Sequence, residues 1–298
     1  MFSFENLKRN SSSSESSLEE LSRQVNALDK KSSFVDDRYW KPEIDKAGNG
    51  YAIIRFLPPS PLDGENALPF VSYHDHGFKG VGGWYIERCL TSLGNPDPAC
   101  EYNSKLWATE IKANQEIASK QKRRLKFISN IYVIKDPKRP ENEGKVFLFS
   151  YGKKIMAKIT SAMKPEFEDE IAFDPFNFWK GANFKLKIRK VEGHQNYDTS
   201  EFDSPKPLMD SDDEIEAVWK NEYSLSEVVS PKNYKTYDEL KTTLDRVLGL
   251  TSANVSRDSI VDAIKHQNIE TEEANLDSVF NTDDPEEMDF YKNLLAGD

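Results

Sequence analysis

Gly48-Asn49-Gly50-Tyr51-Ala52-Ile53-Ile54-Arg55-Phe56-Leu57-Pro58-Pro59 opens the part of the chain that folds. A turn-forming triplet feeds a run of β-branched and aromatic residues, and the proline pair ends it because proline has no N–H to give a sheet. The same pattern recurs at 69–73, at 84–88 after the Gly82-Gly83 turn, and at 127–135, 145–151 and 184–191. Short strands punctuated by glycine and proline favour a barrel over a parallel sheet. Apolar spacing predicts helices over 103–123, through Leu106, Ile111, Ile117 and Ala118, over 153–163, and over 237–248, through Leu240, Leu244, Val247 and Leu248. The expected fold class is mainly β with helices (α+β), built on a partly open Greek-key barrel of the OB type.

Outward from this core the chain becomes polar. Its hydrophobic share of 37% is below the globular norm, which predicts that part of the chain does not pack. The stretch to about Lys31, the interval from Ser204 to Glu216 and everything beyond about Leu250 look too polar to bury much. Three regions follow: a flexible N-terminal arm over 1–33, a core over 34–250, and a C-terminal tail over 251–298. In the arm, Phe2, Phe4, Lys8 and Arg9 precede a serine run, and Leu18, Leu21, Val25 and Leu28 then recur at three- and four-residue spacing. A short amphipathic helix of this kind cannot bury its stripe alone, so docking onto its own core or onto a neighbour is expected. No run of about 18 apolar residues occurs, and 1–10 has too little apolar length for a secretory signal. A soluble, intracellular protein without a membrane span is expected.

The formal net charge is -11, which by itself speaks against a polyanionic partner. The average conceals a dipole: Lys105 to Lys190 carries 20 basic and 10 acidic residues, whereas Glu270 to Asp298 carries 10 acidic residues and one lysine. A basic core beside an acidic tail suits proteins whose tail competes with nucleic acid or recruits partners, although two unrelated solvated surfaces would give the same count.

His76 and Cys89 flank the Gly82-Gly83 turn, and Cys100 follows a turn-rich loop, so imidazole and thiolate donors could meet around one tetrahedral zinc ion. Asp97 is the candidate fourth donor, with His74 as a substitute. Two free thiols and a surface histidine remain the plainer alternative. Lys120, Lys122, Arg123, Arg124 and Lys126 run into Phe127. Phe147, Phe149 and Tyr151 share one face of a strand ahead of Lys153 and Lys154, and Lys185, Lys187, Arg189 and Lys190 precede Tyr197. Cations beside rings are what a single strand needs, because cations neutralise phosphates and rings stack bases. Each cluster alone reads better as a solvated basic face, whereas three of them interleaved with aromatics point to nucleic acid. No phosphate-binding glycine loop, dinucleotide fingerprint, nucleophile elbow or His-Glu-x-x-His pattern is present, so catalysis has no positive support.

At this point the chain resembles the single-stranded DNA-binding, helix-destabilising proteins of the T-even phage group. The resemblance rests on Gly48-Asn-Gly50 with Ile54-Arg-Phe-Leu-Pro58, His76-Gly-Phe78, Trp84-Tyr-Ile-Glu87 before Cys89, and Lys135-Asp-Pro137. It continues through Pro140-Glu-Asn-Glu-Gly-Lys-Val-Phe147, Gly152-Lys-Lys-Ile155, Gly181-Ala-Asn-Phe184 and Asn196-Tyr-Asp198. It implies an OB-fold core with a small zinc-type subdomain, at about 70–125, and co-operative coating of single strands during replication, recombination and repair. It also implies recruitment of replication and recombination proteins by the acidic tail, in the cytoplasm of a bacterial host. By the same resemblance Lys8, Arg9, Ser11 and Ser12 mediate contact between neighbouring copies. His76, Cys89 and Cys100 match zinc ligands, one zinc per chain, while Asp97 stands where the family has a cysteine. Either Asp97 supplies oxygen to a more labile site, or the metal is lost. Tyr85 and Tyr197 match DNA-facing tyrosines, Phe127 and Phe149 replace tyrosines, and Trp107 replaces another. With Lys122, Arg123, Arg124, Lys126, Lys153, Lys154 and Lys187 they form the expected DNA-binding set. Two other functions compete with this one: a zinc-dependent nuclease or deaminase, and an acidic-tailed scaffold.

Overall fold

The computed structural model describes residues 36–250 apart from 168 and 192. The expected arm and tail, with Lys8, Arg9, Ser11 and Ser12, therefore lie outside the described residues. The chain divides into one unit ending at Tyr39 and another beginning at Trp40. In the first, the Asp36 carboxylate accepts the Arg38 guanidinium at 2.7 Å. All that follows concerns the second.

After β1 (Tyr39–Trp40), the strands are β2 (Gly50–Phe56), β3 (Val71–Gly80), β4 (Gly83–Arg88), β5 (Arg124–Lys135), β6 (Val146–Tyr151), β7 (Phe184–Val191), β8 (His194–Asn196) and β9 (Glu201–Phe202). The helices are α1 (Pro98–Trp107), α2 (Lys112–Gln121), α3 (Lys153–Met163), α4 (Asp212–Lys220), α5 (Leu225–Val228) and α6 (Tyr237–Leu248). The result is an α+β fold with a sheet-rich core. Within the sheet the hydrogen-bonded order runs β6-β5-β2-β7-β8. The long β5 organises the fold. Its first half pairs with β3 from Arg124↔Asp75 to Ile128↔Val71, and its second half pairs with β2 from Ile131↔Phe56 to Lys135↔Ile53. β6 lies along the opposite edge.

Strand alternation sorts β2 cleanly: Ala52, Ile54 and Phe56 enter the main core. There they join Ile131 and Val133 of β5, Phe149 and Tyr151 of β6, Ile155 and Ile159 of α3, and Phe184, Leu186 and Ile188 of β7. On the outer side, Arg55 is fully buried, and its guanidinium donates to the carbonyls of Asn177, Phe178 and Lys206. That guanidinium ties two loops to the sheet. The loop carrying the Pro140-to-Phe147 string is held by buried Asp136, which accepts Trp40 Nε1 at 2.9 Å and Asn142 Nδ2 at 3.0 Å, while Glu143 accepts the Asp136 N–H. The most specific block of the resemblance thus has an architectural role.

A second apolar cluster joins the β3–β4 hairpin to α1 and α6 through Phe78, Tyr85, Leu90, Ala99, Leu240, Leu244 and Val247. A Thr236/Glu239 capping box starts α6, and Gly249 ends it in the left-handed region at φ 73°. At the hairpin turn, Gly82 N–H donates to the Val247 carbonyl at 2.8 Å, and any Cβ on Gly82 would run into the Arg246 carbonyl.

Two sequence expectations are corrected. The single helix expected over 103–123 is two helices. Thr109 Oγ1 donates to the Leu106 carbonyl and accepts the Ile111 N–H and Asn114 Nδ2, a local network that ends α1 and starts α2, with Glu110 between them at φ 57°. The interval 204–216, read as too polar to bury much, leads into α4, whose Ile215 and Val218 pack with Leu57 and Phe178. Two apolar residues three apart are enough once a sheet lies beneath them.

Candidate metal centre and nucleic-acid face

β3 delivers His76, the end of the β3–β4 hairpin delivers Cys89, and the start of α1 delivers Asp97 and Cys100. All four side chains are buried, and their donor atoms lie within 4.8 Å of one another. Cys89 Sγ and Cys100 Sγ are 3.5 Å apart, Cys100 Sγ is 3.5 Å from His76 Nε2, and His76 Nε2 is 3.4 Å from Asp97 Oδ1. Metal–ligand bonds of about 2.0 to 2.3 Å in a tetrahedral shell place donors about 3.3 to 3.8 Å apart, so the residues present fit zinc. The His76 orientation also suits a ligand. Nδ1 lies 2.9 Å from the Gln121 carbonyl, to which it donates, so Nε2 is the nitrogen turned towards the cluster. That carbonyl, at the end of α2, carries no sequence signal and was not foreseen.

Asp97 has a second task as N-cap of α1. Its Oδ1 accepts the N–H groups of Ala99 and Cys100, and its Oδ2 accepts that of Leu90. Burial works to raise its pKa, but His76 and these N–H donors outweigh it, and Asp97 lies below the usual carboxylate range. For His76 burial acts downward, yet Asp97 and Cys89 raise it to about 10. The Cys100 hydrogen bond lowers Cys89 to about 5 against the effect of burial, and Cys100 moves up in return. Of two thiols in contact, one carries the charge and the other keeps the proton. His74, the substitute ligand, is not part of this group. Burial, Arg123, His76 and Lys153 hold its imidazole down at about 4.

That influence on His74 locates the basic face. Register pair Phe127↔Tyr151 sets the start of β5 beside the end of β6. Arg123, which donates to Thr91 Oγ1, and Lys153, the first residue of α3, thereby act on the same imidazole although they are 30 positions apart in sequence. α3 begins with Lys153 and Lys154, no acidic residue in its first turn and no side-chain cap. Cations at the positive end of a helix dipole are unfavourable, and an anion there relieves both them and the uncapped N–H groups. Strand alternation divides the remainder of the cluster. Arg124 pairs with Asp75 at 3.1 Å on the other face, where Lys126 lies opposite Tyr73, and Lys122 caps the end of α2.

The rings are placed differently from the expectation. Tyr85 is fully buried and stacked on Phe78 with centroids 5.0 Å apart. Phe127 and Phe149 belong to the main core, as does Tyr151, so the shared face of Phe147, Phe149 and Tyr151 is dry. In this conformation none of these rings forms a surface platform: Tyr85 packs in the second apolar cluster, and the face holding Phe127, Phe149 and Tyr151 is the one that closes over β2 and α3. Tyr197 packs partly on the same core and donates to Gln195 Oε1 at 2.9 Å, and Trp107 is half-buried at the end of α1. Lys187 is paired with Glu201 at 2.7 Å. Among the described residues the exposed aromatic side chains are instead Tyr51, Phe167, Trp179 and Trp219.

A family model described as gp32 DNA binding protein like matches residues 48–248. The single-stranded DNA-binding protein of Enterobacteria phage T4 is 40% identical over 221 residues, covering 72% of this chain and 71% of that protein. Its namesake from Enterobacteria phage T2 matches to the same extent. A single-stranded DNA-binding protein of Escherichia phage SV14 is 46% identical over 72 residues, 24% of this chain and 61% of that protein.

Proposed function

The chain belongs to the gp32 DNA-binding-protein-like family, and on that premise we propose that it is a non-enzymatic protein that coats single-stranded DNA during phage replication, recombination and repair. The observation that carries the reading is the family match over residues 48–248, and the start of α3, which begins with two lysines and has no side-chain cap, is a surface that suits phosphates. Lysines at that helix start would attract phosphates without regard to base sequence. The relatives of phages T4 and T2 are named for the same ligand.

The sheet around the main core is read as a partly open OB-type barrel, with the zinc-type subdomain inserted between β2 and β5. His76, Cys89, Asp97 and Cys100 would hold one zinc ion per chain. Bound there, zinc supplies a structural crosslink and no reaction chemistry. The four residues themselves tie β3, the hairpin end and α1 together and keep solvent out. The arm over 1–33 is assigned to self-association and the acidic tail to recruitment of replication and recombination proteins. No helix among the described residues is long and apolar enough to cross a membrane.

Fluorescence titration with a short oligothymidylate tests the reading. Quenching should saturate at low salt and weaken steeply with added salt, whereas absence of saturable binding at low salt would refute it.

A further inference from the structure

The outer face of the β2–β7 pair has no part in the basic face described above. Tyr51 stands directly opposite Lys187, and Ile53 opposite Lys185. Residues paired across an antiparallel ladder share a face, and alternate residues of a strand are about 7 Å apart, so Arg189 continues the row started by Lys185 and Lys187. Three cations thus border an exposed tyrosine that is 40% accessible. Two carboxylates share the surface: Asp203 pairs with Lys185, and Glu201 with Lys187. Both ion pairs are substantially solvent-exposed, and such pairs contribute little to stability and exchange readily. Arg189 is also exposed.

We propose that this face is a second contact surface for single-stranded DNA, with Tyr51 stacking a base and Lys185, Lys187 and Arg189 taking phosphates. The inference rests on the reading of the chain as a single-strand binder and names a part of that binder which the basic face at the start of α3 does not contain. Two features select a single strand over a duplex. A ring lying on a flat sheet can meet a base only when its π-face is free, and a row of point charges follows a flexible backbone without reading base edges. Tyr51 has no prominence in the sequence because it reads as an early residue of an ordinary strand. It matters because the rings expected to stack, Tyr85, Phe127 and Phe149, are inside the core while Tyr51 is outside.

The test uses the full chain, with octathymidylate and poly(dT) as ligands, and compares the parent with Tyr51→Ala and Tyr51→Phe. Tyr51→Ala should bind about 5- to 20-fold more weakly on at least one of the two lattices, consistent with the loss of one stacked base. Tyr51→Phe, which keeps the ring, should stay within about twofold. Because Tyr51 is exposed, an unchanged melting temperature is expected for both. Photocrosslinking from a benzophenone side chain at position 51 should capture thymine. If the parent binds both ligands and Tyr51→Ala binds them equally well, this surface is not a DNA contact, although the reading of the chain as a single-strand binder stands. If the parent binds neither, both fall together.

Discussion

Asp97 Oδ1 lies 3.4 Å from His76 Nε2, both side chains fully buried, while the same oxygen caps helix α1 through the N–H groups of Ala99 and Cys100. One carboxylate therefore serves the donor cluster and the helix start together, and neither can be altered alone.

Asp97→Ala should for this reason cost about 3 to 5 kcal/mol, the range for breaking a buried pair, with the lost helix cap included. Urea unfolding measures it, and metal content on the same samples should fall. Asp97→Cys should surrender zinc to a chelator more slowly than the parent, since thiolate binds zinc better than carboxylate, yet melt lower in the metal-free state because the cap is gone. Equal metal-free stability of Asp97→Cys and parent would show that the cap contributes nothing.

Glu222 gives a pH signature away from that cluster. It is buried between α4 and α5 with neither carboxyl oxygen hydrogen-bonded, and burial, aided by Asp63, raises its pKa to about 9. Below the ordinary carboxylate pKa both states hold the proton and the group is neutral to stability. Between there and pH 9 only the unfolded chain releases it, so stability falls as pH rises, by at most about 1.4 kcal/mol per unit. Glu222→Gln should match the parent near pH 4.5 and exceed it at pH 8, as read by urea midpoints. Parallel pH profiles would eliminate the effect.

Gly82→Ala should lift α6 from the β3–β4 hairpin. Its Cβ meets backbone, the carbonyl of Arg246, and backbone cannot rotate aside as a side chain can. A loss of about 1 to 3 kcal/mol is expected, read as a lower melting temperature. If the melting temperature holds, the packing of Leu240, Leu244 and Val247 against Phe78 and Tyr85 is looser than the structure describes.

Phe149→Ala and the pair Lys153→Gln with Lys154→Gln should separate core from ligand face. Phe149 touches Trp40, Phe56 and Tyr151, so its truncation should cost about 3 to 5 kcal/mol of stability. The double lysine variant should keep its melting temperature and lose salt dependence, by about 0.7 in the log–log slope for each phosphate contact removed. An unchanged slope would place the phosphates elsewhere.

Much of this was legible in the sequence, and for a common reason. The helix over 153–163, the strand over 184–191 and the helix over 237–248 recur with the same bounds because their signals are local: an apolar period in each, with a cap and a terminating glycine added in the last. The grouping of His76, Cys89, Asp97 and Cys100 was legible in part, since the spacing offered a zinc shell beside the plainer alternative of two free thiols and a surface histidine, and the membership in the single-stranded DNA-binding family was carried by blocks in order. Tertiary structure alone decided which side of each strand is wet. A period-two pattern is symmetric under exchange of faces, so Phe149 and Tyr151 on β6 and Tyr51 on β2 look alike until the sheet closes on α3 and buries one set. It alone brought Arg123 to Lys153, because strand pairing joins positions that no spacing rule connects. It alone made α4 a packed helix, since Ile215 and Val218 have nothing to bury against until Leu57 and Phe178 are beneath them. Local chemistry determines the elements and the donor types, whereas burial, a property of the assembled sheet, determines which rings and cations remain available to a ligand.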